Sequence, residues 1–258
     1  MSNIQLLRHA TIVVNIAGKK ILVDPMLAPK DTFDPIPNAG NNIRIPMVDL
    51  PLAQAQLAEL LQSIDAVVVT HTHPAHWDTA AQALLPKDIP LFCQPVDHEL
   101  IQSQGFTNVT AITEYHQWQG VDVYRTGGVH GKGEILKMLG EVSGFVFKHA
   151  QESIYVAGDT IWHPDVVAAL DTHRPHMTIL NTGGAQFVQG DPITMTPDEV
   201  IKVHEQAPYT QIVAIHMDTV NHCLVKRSDL EKAVNEHGVQ VIIPADGETV
   251  ELASVATH

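Results

Sequence analysis

Asp65-Ala-Val-Val-Val-Thr-His71-Thr-His73-Pro-Ala-His76 is the stretch whose reading decides the fold. Its first half is a short, unbroken run of β-branched and small apolar residues, the pattern of a strand buried on both faces. Its second half places three imidazoles just beyond the carboxyl end of that strand. His71 and His73, two apart in extended backbone, point to the same side, and Pro74 turns the chain before His76. Imidazoles so placed can share one cation.

Outward from this stretch, strand and helix alternate. Upstream, Ala10 to Ile16 and Ile21 to Asp24 read as a β-hairpin around a glycine turn, and Ala53 to Leu61 as a helix. Between them lies a loop, Pro25 to Pro51, that holds six prolines; long ordered loops of this kind often cover sites. Downstream, helices are expected near 79–85, 96–104, 165–170, 197–206 and 228–236. Strands are expected at 109–112, 121–125, 144–148, 153–157, 177–180, 212–215 and 239–243. The chain is read as one domain over 1–258, without low-complexity segments or short repeats.

Sheets of this type bind ligands at the carboxyl ends of their strands. The strand from Val121 runs on to His130, that from Ser153 to Asp159, and that from Gln211 to His216. Any one of these residues alone is better read as an ordinary core or surface side chain. Six donors at strand ends are a coincidence too many. Imidazoles with one carboxylate suit zinc, manganese or iron rather than calcium or magnesium.

Composition removes the competing classes. The 258 residues carry 15 Lys+Arg against 29 Asp+Glu, a formal charge of −14 with no basic block, so nucleic acid and anionic membranes are excluded as partners. No apolar run reaches the roughly 18 residues of a membrane span, and no secretory leader is evident. A cytoplasmic protein acting on a small molecule is expected, with self-association into a homo-oligomer left open. Cys93 and Cys223, 130 residues apart, read as buried reduced thiols. The 16 histidines outnumber all Lys and Arg.

His71-Thr-His73-Pro-Ala-His76, followed at a distance by His130, Asp159 and His216, resembles the metallo-β-lactamase superfamily, whose signature is H-x-H-x-D-H and then His, Asp and His. Leu22-Val-Asp-Pro25, Ala157-Gly-Asp-Thr160 and Ala245-Asp-Gly-Glu-Thr249 further resemble its L-ascorbate-6-phosphate lactonase-like branch. The resemblance implies an αββα sandwich of two mixed sheets flanked by helices. It implies a first metal site of His71, His73 and His130, a second of His76 and His216, and Asp159 bridging them, with one or two Zn2+ (or Mn2+ or Fe2+). It also implies a metal-dependent hydrolase of a small lactone, ester or amide working through a metal-bound hydroxide. A TIM-barrel amidohydrolase would carry its H-x-H on the first strand, and an RNA-processing relative would need an inserted domain and a basic surface.

One departure stands out: the signature's Asp is Ala75 here, and alanine cannot coordinate a metal. An asymmetric pair of sites is expected, with the proton acceptor's part falling to Asp159 or a solvent chain. The alternative is a catalytically weak or inactive metal-binding or regulatory relative. Asp78 reads either as the cap of the helix starting at Thr79 or as a replacement oxygen ligand. Asp24 reads as a turn residue or as the carboxylate that orients a ligand histidine. Trp162 and His163 either line the pocket or pack at a helix start ahead of Pro164, and His222 either reaches substrate or is an ordinary loop residue. Gly183-Gly184 either admits substrate to the backbone or permits a turn. His116 stays undecided; His9, His98, His149, His173, His176, His204, His237 and His258 are read as unremarkable.

Overall fold

The computed structural model describes residues 1–254. Strands β1 (Asn3–Arg8), β2 (Thr11–Ile16) and β3 (Lys19–Val23) form an antiparallel meander. Helix α1 (Gln54–Ser63), β4 (Ala66–Val69), α2 (Thr79–Leu84), β5 (Leu91–Cys93), α3 (His98–Ser103) and β6 (Val109–Ala111) follow as crossovers, and β3 to β6 run parallel. Next come β7 (Tyr115–Trp118), β8 (Val121–Thr126), α4 (Ile135–Leu139), β9 (Gly144–His149) and β10 (Glu152–Val156). The last part holds α5 (Pro164–His173), β11 (Met177–Asn181), α6 (Pro197–Gln206), β12 (Gln211–Ile215), α7 (Arg227–Glu236) and β13 (Thr249–Glu251). One sheet has the order β13-β1-β2-β3-β4-β5-β6 and the other β12-β11-β10-β9-β8-β7. Both are mixed, and with helices outside they form the expected αββα sandwich.

Side-chain alternation along the strands builds three apolar layers. Ile4, Leu6, Ile12, Val14, Ala66 and Val68 meet Val123, Phe145, Phe147, Ile154, Ile179 and Val213 between the sheets. The opposite-facing Leu7, Val13, Val67 and Val69 pack with Leu57, Leu61, Ala81 and Ile101 of the helices α1 to α3. On the far side Tyr155, Leu180 and Ala214 pack with Val166, Leu170, Val200 and Leu230. A strand facing two such layers must be apolar at every position, and β4 and β11 are fully buried throughout.

Three readings need correction. β1 precedes the expected hairpin and makes it a meander, while β5, β7, α4 and β13 are elements of three to five residues, too short for a periodic signal. The expected strand over 239–243 is not one. It makes a single parallel bridge, Val213↔Ile242, because Gly238 and Pro244 bracket a segment whose Val239, Val241 and Ile243 turn toward the α5 to α7 layer. Among the described residues no helix is long and apolar enough to cross a membrane.

The proline-rich loop is tied down by one buried guanidinium. Arg8 donates from Nη1 to the Val48 carbonyl at 2.9 Å and from Nη2 to those of Met26 and Ala28 at 2.9 and 2.8 Å. Burial lowers its pKa to about 10, which leaves it charged at neutrality. Asp78 fixes the same loop, accepting from the Ala28 amide at 2.8 Å.

Candidate metal centre

All six expected donors meet at one end of the sandwich. β4 delivers His71, His73 and His76 beyond its carboxyl end, the β8 to α4 connection delivers His130, and β10 and β12 run on into Asp159 and His216. Asp159 is the hub. Its Oδ2 lies 3.0 Å from His76 Nε2, 3.5 Å from His130 Nε2 and 3.7 Å from His71 Nε2, and its Oδ1 lies 3.1 Å from His216 Nε2. His73 joins through Nδ1, 3.0 Å from His71 Nε2. Two donor groups result: His71, His73 and His130, and His76, Asp159 and His216.

The outer hydrogen bonds assign the tautomers. His76 Nδ1 donates to Asp24 Oδ2 at 2.7 Å, and His130 Nδ1 to the Ile193 carbonyl at 2.8 Å. Thr70 Oγ1 donates to Asp24 Oδ2 at 2.6 Å and so accepts from His71 Nδ1 at 3.1 Å. A neutral imidazole that donates from Nδ1 carries its lone pair on Nε2. The Nε2 lone pairs of His71 and His130, and that of His76 whenever it is neutral, therefore face a carboxylate that is itself an acceptor. That arrangement is repulsive without a cation between the groups, so the donor set fits a metal, and the supporting carboxylate–histidine pair is the arrangement that orients metal ligands.

Electrostatics agree. Burial, with His76 second, holds His71 well below the ordinary imidazole range; burial also lowers His130 and takes His73 to about 4. All three are thus neutral, the form that binds metal. Burial opposes a charge on His76 too, but the Asp159 and Asp24 carboxylates outweigh it and raise this imidazole to about 10. Burial likewise works against ionisation of Asp159, yet His216 and His76 keep it well below the usual carboxylate range. In the metal-free protein a proton on His76 takes up part of the role of a cation.

Backbone strain gathers here. Asp24 (φ 47°), His216 (φ 72°) and His9 (φ 60°) all hold left-handed conformations that non-glycine residues avoid, a cost of order 1–3 kcal/mol each, which persists only where the surroundings dictate it. Gly158, just before Asp159, has φ 74°, and a Cβ there would meet the Ser143 carbonyl at 2.6 Å. At Gly183 a Cβ would meet the His216 carbonyl at 2.2 Å, so its role is close packing against the His216 segment.

Several candidates are placed elsewhere. Both oxygens of Asp78 accept backbone amides, Ala81 at 2.7 Å and Ala28 at 2.8 Å, so it caps α2 and does not replace the missing ligand. Ala75 is buried in an apolar cluster with Met26, Ile193 and Cys223. His163 caps α5 through its Nδ1, and Trp162 packs in the layer outside the second sheet, neither in the donor cluster. His116 lies on β7 beside Phe92, and His258 lies outside the described residues. Both cysteines are free and buried.

Asp24 and His222 do reach the centre. His222 has its ring 5.6 Å from Phe187 and a buried Nδ1 without a partner, and burial followed by His216 lowers it to about 4. Sequence reasoning missed His9, fully buried with its ring 3.7 Å from that of His216, and Asn181, which donates to Asp159 Oδ1 at 2.7 Å. It also rated a ligand role for Cys223 low for want of a second thiol nearby, although its Sγ lies 3.6 Å from His216 Nδ1. Only the meeting of distant strand ends reveals these; Asn181, at the end of β11, shared the strand-end signal.

Fold and donor set together define a metallo-β-lactamase-type protein, and a family model described as a β-lactamase superfamily domain matches residues 19–217. The chain belongs to that superfamily and, within it, to the UPF0173 family of metal-dependent hydrolases. It is 37% identical over 253 residues to the UPF0173 protein YddR of Bacillus subtilis (strain 168), covering 96% of this chain and 98% of that one. A crystal structure of a possible metal-dependent hydrolase from Veillonella parvula DSM 2008 superposes with a TM-score of 0.93 at 38% identity, covering 97% and 99% of the two chains. That of an isothiocyanate hydrolase from Delia radicum gut bacteria does so with a TM-score of 0.91 at 38% identity, covering 98% and 100%.

Proposed function

We propose that this chain hydrolyses a small molecule at an electrophilic carbon, in a zinc centre held by His71, His73 and His130 on one side and His76, Asp159 and His216 on the other. The observation that carries this reading is the set of Nε2 lone pairs converging on Asp159, which is useful only around cations. Such cations, when bound, supply Lewis acidity and a water acidified to a pKa of roughly 7. Manganese or iron fits the same donors.

The chain's own residues do the rest. Asp24 holds His76 directly and His71 through Thr70, so both present Nε2. Asn181 steadies the hub carboxylate from the side of Oδ1. The apolar cluster around Ala75 keeps bulk water from one flank. With no carboxylate at position 75, Asp159 is the one acidic side chain of the second donor group and takes the proton acceptor's part. The likeness to an isothiocyanate hydrolase makes the carbon of an N=C=S group the first target to assay, ahead of a lactone, ester or amide. Its hydrolysis balances as R–N=C=S plus water giving R–NH2 plus COS. The reduced, buried cysteines fit a cytoplasmic setting.

The test is metal analysis combined with a panel of an alkyl isothiocyanate, a lactone, an ester and an amide. Zinc-dependent release of amine from the isothiocyanate, lost in Asp159→Ala, is expected. Turnover only of the lactone, ester or amide would reassign the substrate. One or two equivalents of bound zinc with no turnover on any class would favour the binding-only relative that Ala75 raises.

A further inference from the structure

Next to the apolar cluster that borders the centre at Ala75 and Cys223 opens an apolar cleft. This cleft of about 610 Å³ is lined by Ile36, Ile135, Met138, Phe187 and Val188 with Pro37, Asn38 and Gln189, and none of these carries a charge. Met138 and Val188 are 79% and 69% exposed, an unusual display of large apolar side chains unless something covers them.

Its walls adjoin residues that touch the metal ligands. Phe187 lies against His222, the chain neighbour of Cys223, whose Sγ is 3.6 Å from His216 Nδ1. Ile135 and Ile193 close on the same point, each within 3.0 Å of where a Cβ on Gly131 would sit, and the carbonyl of Ile193 is the one that holds His130. Ile36 is fixed on the third side by paired bonds with the Asn221 side chain, at 2.9 and 3.1 Å. Beneath lies the apolar cluster of Ala75, Ile193, Val220 and Cys223, against which Ile36, Ile135 and Phe187 pack.

We propose that this cleft takes the apolar arm of an uncharged substrate, with Phe187 and Ile135 setting which arm is accepted, so that the substrate class is a neutral electrophile bearing an alkyl or arylalkyl chain. The assignment rests on the metal-centre reading above and narrows it. A sugar phosphate or other anionic substrate would find no lysine or arginine in the cleft to pair with, and burying an unpaired charge there is costly. An aliphatic or aromatic arm gains from each group it removes from water.

Alkyl hydroxamates test this without turnover, because the hydroxamate head needs only the metals and the tail reports the cleft. Calorimetry on the zinc-loaded full chain would measure aceto-, butano-, hexano- and octanohydroxamate, plus a hexano chain ending in a carboxylate. Affinity should rise about fourfold per added methylene, the factor that burying one CH2 is worth, until the cleft is full. The terminal carboxylate should abolish that rise. Phe187→Ala should shrink the ratio of octano- to acetohydroxamate affinity about tenfold. Should that variant fail to fold, the exposed Met138→Glu is expected to lower the ratio in the same direction.

Equal affinity across the series, with acetohydroxamate bound, overturns the cleft assignment and leaves the metal centre standing. No binding of acetohydroxamate overturns the metal centre and the assignment with it. A flat series together with a dimer that Met138→Glu dissociates would give the apolar patch to a second copy of the chain instead.

Discussion

Replacing Asp24 by Asn probes the centre at its outer shell without touching a donor. The carboxylate, 1% exposed, serves three groups: the Thr70 amide at 2.7 Å, the Thr70 hydroxyl at 2.6 Å and His76 Nδ1 at 2.7 Å. An asparagine can satisfy the Thr70 amide with its oxygen, but its NH2 group then faces His76 Nδ1. Two donors cannot bond, so the imidazole must shift its proton to Nε2, the atom that faces Asp159. A protonated Nε2 cannot ligate. The hydroxyl of Thr70 must also turn, releasing His71 from its fixed tautomer. Outer-shell losses of this kind cost about 10- to 100-fold in metal affinity, or about 1.4 to 2.8 kcal/mol at 1.4 kcal/mol per tenfold. Because one carboxylate supports ligands of both donor groups, the upper end is expected. In the metal-free protein the lost charge-assisted bond to His76 should cost about 1.5–3 kcal/mol of stability. Competition with a chelator reads the zinc affinity, and thermal unfolding without metal reads the stability. Thr70→Val, which keeps the amide bond to Asp24 and loses the hydroxyl, should fall between wild type and Asn. Zinc affinity within twofold of wild type in Asp24→Asn would refute the outer-shell argument and with it the tautomer assignment.

The remaining predictions concern position 75 and pH. Ala75→Asp sets a carboxylate among apolar side chains, so the metal-free variant should lose about 1–3 kcal/mol, while excess zinc should raise its melting temperature more than it raises that of wild type; an equal zinc-induced rise would show that position 75 does not face the metals. In metal-free protein, burial keeps His9, His71, His73 and His130 neutral with folded pKa values below the unfolded 6.5. Their stability contribution is present above 6.5 and lost as pH falls toward 4, where the unfolded chain binds protons that the folded chain refuses. His76, raised to about 10, works in the opposite sense, contributing fully below 6.5 and fading as pH rises through about 10. Melting temperature against pH should therefore peak near neutrality, and His76→Gln should flatten the alkaline limb; an unchanged alkaline limb would rule out a charged His76.

The sequence alone determined the parts governed by local pattern. The apolar run at 65–70, ending in His71 and His73, specifies a buried strand with two imidazoles on one side, because side chains alternate with a period of two. The same logic found His130, Asp159 and His216 beyond their strands, and it found α6, whose Thr196 and Glu199 form a capping pair. Asp78, just before an apolar helical run, offered the capping reading, and only its bonds to the Ala81 and Ala28 amides decided against a ligand role. Tertiary structure decided what depends on residues far apart in the chain. Whether Asp24 was a turn residue or an orienting carboxylate turned on 52 positions of separation from His76; His9 met His216 only after the sheets packed face to face, and Asn181 met Asp159 only once β10 and β11 paired. The three-residue strands β5 and β13 have no periodicity of their own and exist because a neighbouring strand offers unpaired backbone groups. The apolar cleft is the extreme case: Ile36 and Phe187 come from two separate connections and Ile135 from the start of α4, and no local pattern distinguishes them from ordinary core residues. Local physics acts along the chain and is legible there, whereas a site assembled from strand ends and loops is set by which segments the sandwich brings together.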